Sequence, residues 1–189
     1  EDWAALIEQV GGSSHVYGIS SGAVLAMEAA ASLGSKIKKL AVYEPPFTFG
    51  EQARKDSKTY TQLLDEMLSH DRRGDAVELF IKSAGMPPEA IAGMRQSPMW
   101  KAMEAIAPTL AYDNAIMGDG SIPHDVMEKV AAPTLVLAGG NSPEFMLEAA
   151  KAAANSIPSS KLQILEGQTH DVKADVLAPS LEQFFKENV

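Results

Sequence analysis

The stretch His15-Val16-Tyr17-Gly18-Ile19-Ser20-Ser21-Gly22-Ala23-Val24-Leu25-Ala26-Met27 decides the fold. Its first five residues include branched and aromatic side chains and read as a short strand. From Ser21 onward, small and straight-chain residues read as a helix that closes at Gly34. Strand and helix meet without a linker, so Gly18-Ile19-Ser20-Ser21-Gly22 must make the turn. A serine there lies on a sharp, strained bend. Small residues two before and two after it are expected to let helix and strand approach closely.

Outward from this junction the pattern repeats. Residues 2–10 precede it as the last turns of an amphipathic helix, with Trp3, Leu6, Ile7 and Val10 on one face and Gly11-Gly12 as the stop. Ile37-Lys38-Lys39-Leu40-Ala41-Val42-Tyr43 reads as a second strand ended by Pro45-Pro46. Residues 132–138 read as a buried strand running into Gly139-Gly140. A helix follows to about Ile157, with Ser142 as its cap and Pro143 at its first position. Residues 161–165 form the next strand and 176–186 the last amphipathic helix. Strands alternating with helices call for parallel pairing with crossover connections.

Residues 48–130 have a different texture, with short helical stretches such as 60–69 and 76–84. The second is expected to be capped by Asp75 and closed by Gly85. Pro87-Pro88, Pro98, Pro108 and Pro123 punctuate the segment, and strand-like alternation is absent. The fold expected is a three-layer α/β sandwich on a mostly parallel sheet, from residues 1–47 and 131–189, with 48–130 inserted as a helical cap or lid. Met67, Met86, Met94, Met99, Met103, Met117, Phe80, Trp100 and Tyr112 are expected mostly as core contacts between cap and sheet, some lining an apolar acyl pocket.

Composition narrows the partners. Sixteen basic and 25 acidic residues give a net charge of −9, without a basic cluster, which argues against nucleic acid. There is no cysteine, so disulfides and thiolate metal sites are excluded. His15, His70, His124 and His170 are scattered without metal-binding spacing; no metal and no cofactor are expected. No apolar run reaches the ~18 residues of a membrane span. Glu1 and Asp2 stand where the basic start of a signal peptide would be. A soluble, cytoplasmic protein with a small-molecule substrate is the expectation.

Two loops carry the chemistry. In Gly18-Ile19-Ser20-Ser21-Gly22, Ser20 is the candidate nucleophile, and the Ser21 N–H at the helix N-terminus is the candidate oxyanion donor. Such a G-x-S-x-G spacing arises by chance in roughly one chain in twenty of this size. Context is what favours the nucleophile over a plain Gly/Ser turn or a phosphate loop. The match falls on a strand–helix boundary, and the Lys-Ser/Thr pair of a phosphate loop is missing. His170, in Gly167-Gln168-Thr169-His170-Asp171 directly after the last strand, is the candidate base. It lies on a loop at the carboxyl edge of the sheet and follows the serine in chain order.

Together with Tyr43-Glu44-Pro45-Pro46, Pro133-Thr134-Leu135-Val136-Leu137-Ala138-Gly139-Gly140 and the helical insert, these motifs resemble α/β-hydrolases of the small esterase-like type over essentially the whole chain. The resemblance implies that the visible strands are the family's fifth to eighth. It also implies that Ser20 acts as nucleophile and His170 as base and then acid, through an acyl-enzyme. Two departures stand out. The family's first four strands, and with them the second oxyanion donor, have no counterpart. The first strand would then be an exposed apolar edge, to be completed by an N-terminal segment, a second chain or a homo-oligomer. The commonest place for the triad acid, after the third visible strand, reads Gly139-Gly140-Asn141-Ser142 and holds no carboxylate. Glu44, at an alternative family position, is the favoured acid, ahead of Glu144 at a helix start and Asp171 beside His170. The activity implied is hydrolysis of a small, largely apolar ester or related acyl compound. Rival readings are an acyltransferase, perhydrolase or C–C hydrolase on the same site, and a catalytically inactive ligand-binding protein.

Overall fold

The two apolar runs on either side of the insert, Ile37–Tyr43 and Thr134–Gly139, lie side by side at the centre of one sheet in the computed structural model, which describes residues 2–187. The chain divides into two compact units. One comprises residues 2–48 and 121–187, the other Phe49–Gly120.

The first unit contains α1 (Asp2–Gln9), β1 (Ser14–Ile19), α2 (Ser21–Leu33) and β2 (Ile37–Tyr43). The insert, the second unit, holds α3 (Gly50–Ser69), α4 (Arg73–Ser83), α5 (Pro88–Arg95), α6 (Pro98–Ile106) and α7 (Leu110–Met117). The first unit then resumes with α8 (His124–Met127), β3 (Thr134–Gly139), α9 (Glu144–Ser156), β4 (Ser160–Leu165) and α10 (Ala174–Lys186). The four strands are all parallel, in the order β1-β2-β3-β4. Every residue of β3 is buried, and every residue of β2 except Lys38, as parallel strands covered on both faces require.

Strand alternation sorts the core into two sides. Ala41, Tyr43, Leu135, Leu137 and Leu165 cluster with Phe184 of α10, with Tyr17, Val176, Leu177 and Leu181 packed against them. The opposite side is served by α2 and α9, which contact β1 and β2, and β3 and β4, respectively. Their buried residues are largely alanines, and small side chains bring the helix axes close to the sheet. Lys39 is buried in β2, yet its Nζ donates to the carbonyls of Phe184 (2.5 Å) and Glu187 (2.6 Å). The cation thus meets the orphan carbonyls and negative dipole end of α10.

In the helical unit, Val77, Ile81, Ile91, Trp100 and Ala107 form the core, joined by Met86, Met94 and Met103. Phe80, Met99 and Tyr112 are exposed, so the core role expected for most of the nine does not extend to these three. Some other sequence expectations are corrected. α3 starts ten residues before Tyr60. Asp75 lies in the first turn of α4 and does not cap it, because its carboxylate is taken by Arg95 and Arg72, at 2.8 and 2.9 Å. Pro88 and Pro98 open helices, where a missing N–H costs nothing. In α1 only Ile7 is buried, while Leu6 and Val10 face solvent. Among the described residues, no helix is long and apolar enough to cross a membrane.

Candidate active site

Parallel register delivers four chain reversals to one edge of the sheet. Ile19 pairs with Tyr43, Tyr43 with Leu137, and Gly139 with Leu165. The residues just beyond these strand ends, Ser20, Glu44, Ser142 and His170, therefore converge at the carboxyl edge, the place where open α/β sheets bind ligands.

Ser20 adopts φ 57° and ψ −130°, a conformation that strains any residue with a Cβ. It occupies the N-cap position of α2, but its hydroxyl makes no capping bond. The turn is held instead by main-chain bonds: Ser20 N–H donates to the Tyr43 carbonyl at 3.0 Å, and Ala23 N–H to the Ser20 carbonyl at 2.9 Å. Ser21 opens α2, where first-turn N–H groups have no intrahelical acceptor. Of the two motif glycines, only Gly18 is dictated by space. A Cβ there would lie 2.2 Å from the Gly22 carbonyl oxygen, whereas a Cβ on Gly22 would meet nothing within 4 Å. The expectation that both flanking residues must be small is corrected accordingly, because only the strand residue faces the incoming helix.

Glu44 follows β2 and is fully buried with φ 46°. Among the described residues, three that are not glycine have positive φ, and Ser20 and Glu44 are two of them. Strain of this kind gathers at functional sites, where surrounding contacts hold it in place. Here those contacts are explicit. Glu44 Oε1 accepts from the Gly139 N–H at 2.7 Å and from the Ser142 hydroxyl at 2.5 Å, and Oε2 pairs with His170 Nδ1 at 2.7 Å. Burial alone pushes the Glu44 carboxyl up; the bonds from His170, Ser142 and Gly139 outweigh it and hold the group below its ordinary value. An ionised carboxylate only accepts, so in this pair His170 Nδ1 is the donor. His170 is part-exposed, with 40% of its side-chain surface accessible. It is not hydrogen-bonded to Ser20 among the described residues, a looseness common in substrate-free sites.

The loop that carries His170 is tied down on both sides. Tyr43 Oη donates to the Thr169 carbonyl at 2.6 Å, Asn141 N–H to the Gln168 carbonyl at 2.8 Å, and Lys173 N–H to Gln168 Oε1 at 3.0 Å. Gly139 is packed beneath it, since a Cβ there would come within 2.5 Å of the Gln168 carbonyl oxygen. Three of these groups escaped the reading of the sequence: Tyr43, Gly139 and Ser142. The Ser142 reading is corrected outright. Pro143 takes the N-cap position of α9, so Ser142 sits one residue outside the helix and spends its hydroxyl on Glu44. Of the other acids weighed, Glu144 lies in the first turn of α9 and Asp171 is exposed.

Comparison with solved structures meets this geometry. An α/β hydrolase from Sphaerobacter thermophilus superposes with a TM-score of 0.84 and 45% identity over 98% of this chain and 72% of that one. The chain belongs to the α/β-hydrolase family. More distant α/β-hydrolase-fold structures include a malate-bound thermophilic esterase from Thermogutta terrifontis, with a TM-score of 0.67 and 19% identity over 98% of this chain and 70% of that one. MenH from S. aureus has a TM-score of 0.62 and 19% identity, over 98% and 74%. At such identities the likeness is one of fold. No family model matches the chain, and no curated protein does. As an α/β hydrolase, the chain is an enzyme of the hydrolase class.

Proposed function

We propose that the protein is a serine hydrolase that cleaves a small, largely apolar ester or related acyl compound through a covalent acyl-enzyme. The observation that carries this reading is the 2.7 Å bond from His170 Nδ1 to a buried, fully satisfied Glu44, beside a serine on a strained strand–helix turn. In the proposed sequence Ser20 Oγ attacks the substrate carbonyl and His170 Nε2 takes the hydroxyl proton. Glu44 keeps the imidazole oriented and offsets the charge it acquires. The tetrahedral oxygen faces the Ser21 N–H at the start of α2. His170 then hands its proton to the leaving alkoxide, which departs as an alcohol. Water, deprotonated by the same Nε2, attacks the acyl-serine, and the proton passes from Nε2 to the departing Ser20 Oγ as the acid leaves. Ile19, next to Ser20 and exposed at the same sheet edge, offers apolar surface, which supports an apolar acyl group. One fold neighbour, from Thermogutta terrifontis, is an esterase.

The test is reaction of the full-length protein with a fluorophosphonate, followed by peptide mass spectrometry, alongside p-nitrophenyl butyrate hydrolysis. Label on the Ser20 peptide, with label and turnover both lost in Ser20→Ala, is the expected result. Label on another serine, or full turnover by Ser20→Ala, would overturn the assignment.

A further inference from the structure

We propose that Tyr43 is a positioning residue that holds all three triad groups in register, and that its phenol sets the place of His170. The proposal rests on the Ser20–His170–Glu44 reading. Tyr43 is the last residue of β2 and is completely buried. Its carbonyl accepts the Ser20 N–H at 3.0 Å and so fixes the nucleophile's turn. The next residue in the chain is Glu44, whose own N–H is bound to the Leu137 carbonyl at 3.0 Å. Its phenol crosses to the fourth strand's loop and donates to the Thr169 carbonyl at 2.6 Å, one residue before His170.

That phenolic bond differs from the others in the loop. Asn141 and Lys173 hold Gln168, two residues from the imidazole, while Tyr43 holds the peptide next to it. The phenol lies over Gly139, where a Cβ would fall 2.8 Å from its oxygen, so the absence of a side chain there makes room for it. The carbonyl it holds belongs to the peptide that leads into His170, so loss of the bond acts first on the alignment of Nδ1 with Glu44 Oε2. Burial, with Glu44 and Tyr17 nearby, pushes the phenol far above its ordinary value, so it remains a donor at any pH the enzyme meets.

The test compares the parent, Tyr43→Phe and Ser20→Ala on p-nitrophenyl butyrate. Proton NMR of the His170 Nδ1–H provides a second readout. Tyr43→Phe is expected to lower kcat by about tenfold to a hundredfold with KM near that of the parent, as misplacement of a catalytic group does. It is also expected to shift or broaden the low-field Nδ1–H signal while the melting profile stays cooperative. Parental kcat and an unchanged signal would overturn the proposal. If Tyr43→Phe does not fold, 4-fluorophenylalanine at position 43 decides. It fills the place of the hydroxyl but cannot donate to the Thr169 carbonyl, so kcat should fall about tenfold or more; parental kcat would overturn the proposal. The Ser20→Ala arm separates the two readings. Activity surviving there removes the triad itself, whereas a dead Ser20→Ala beside a fully active Tyr43→Phe removes only the role of Tyr43.

Discussion

Ser142 supplies one of the two neutral donors on Glu44 Oε1, the other being the Gly139 N–H. A hydrogen bond to a charged group contributes about 1.5–3 kcal/mol. With the Gly139 N–H as the one remaining donor on Oε1, Glu44 would be held less firmly and orient His170 less often. Ser142→Ala should therefore lower kcat by about tenfold, since each 1.4 kcal/mol is a factor of ten, with KM little changed and Ser142→Thr restoring the rate. Steady-state kinetics on p-nitrophenyl butyrate check this, and a Ser142→Ala enzyme with parental kcat refutes it. The sequence hides this role because Ser-Pro before a helix is ordinary capping grammar. The true partner lies 98 residues away and is brought near only by the β2–β3 pairing. Ser20, Glu44 and the His170 loop are easier to place from the sequence, because each follows a strand and strand ends share the carboxyl edge; the preference for Glu44 among the acids rests on the family resemblance.

At the level of elements, the junction of β1 and α2 is set by one contact. A Gly18→Ala methyl would press on the Gly22 carbonyl, a backbone atom that cannot step aside without moving α2. The expected loss is about 3 kcal/mol or more. Gly22→Ala meets open space and replaces a poor helix former by a good one, so its stability should equal or exceed the parent's. Paired thermal melts test both, and equal losses would contradict the contact. The central strands β2 and β3 are legible to within a residue or two because buried parallel strands are largely apolar runs. The first half of α3 is not legible, because its residues 50–59 carry almost no apolar periodicity. What holds them is side-chain pairing one turn apart, as between Glu51 and Lys55 at 2.8 Å and Gln52 and Asp56 at 2.8 Å.

On the scale of the whole molecule, Glu44 links the site to acid stability. Its carboxyl is held below its ordinary value in the folded chain, so in the acid range the unfolded chain binds more protons and stability rises with pH. The contribution is complete above the ordinary carboxyl value of 4.5 and is lost as pH falls through the depressed folded value. Glu44→Gln removes it. The gap in melting temperature between parent and variant should be widest near neutrality and narrow on acidification; curves that stay parallel into acid would refute it. Asp75, in the helical unit, is held low by Arg95 and Arg72, so some acid lability remains in the variant. The insertion has a further consequence, for how the chain finds its fold. Near its base, Ser57 Oγ donates to the Gly118 carbonyl at 3.3 Å, and Thr61 Oγ1 and Asn114 Nδ2 are 3.1 Å apart. These bonds tie entry to exit. Once they form, the span that β2 must close to reach β3 shrinks to roughly a third, a saving of ~1 kcal/mol in loop-closure entropy. A newly made chain that knots off this loop first can zip its central strands almost as though the insertion were a short connection.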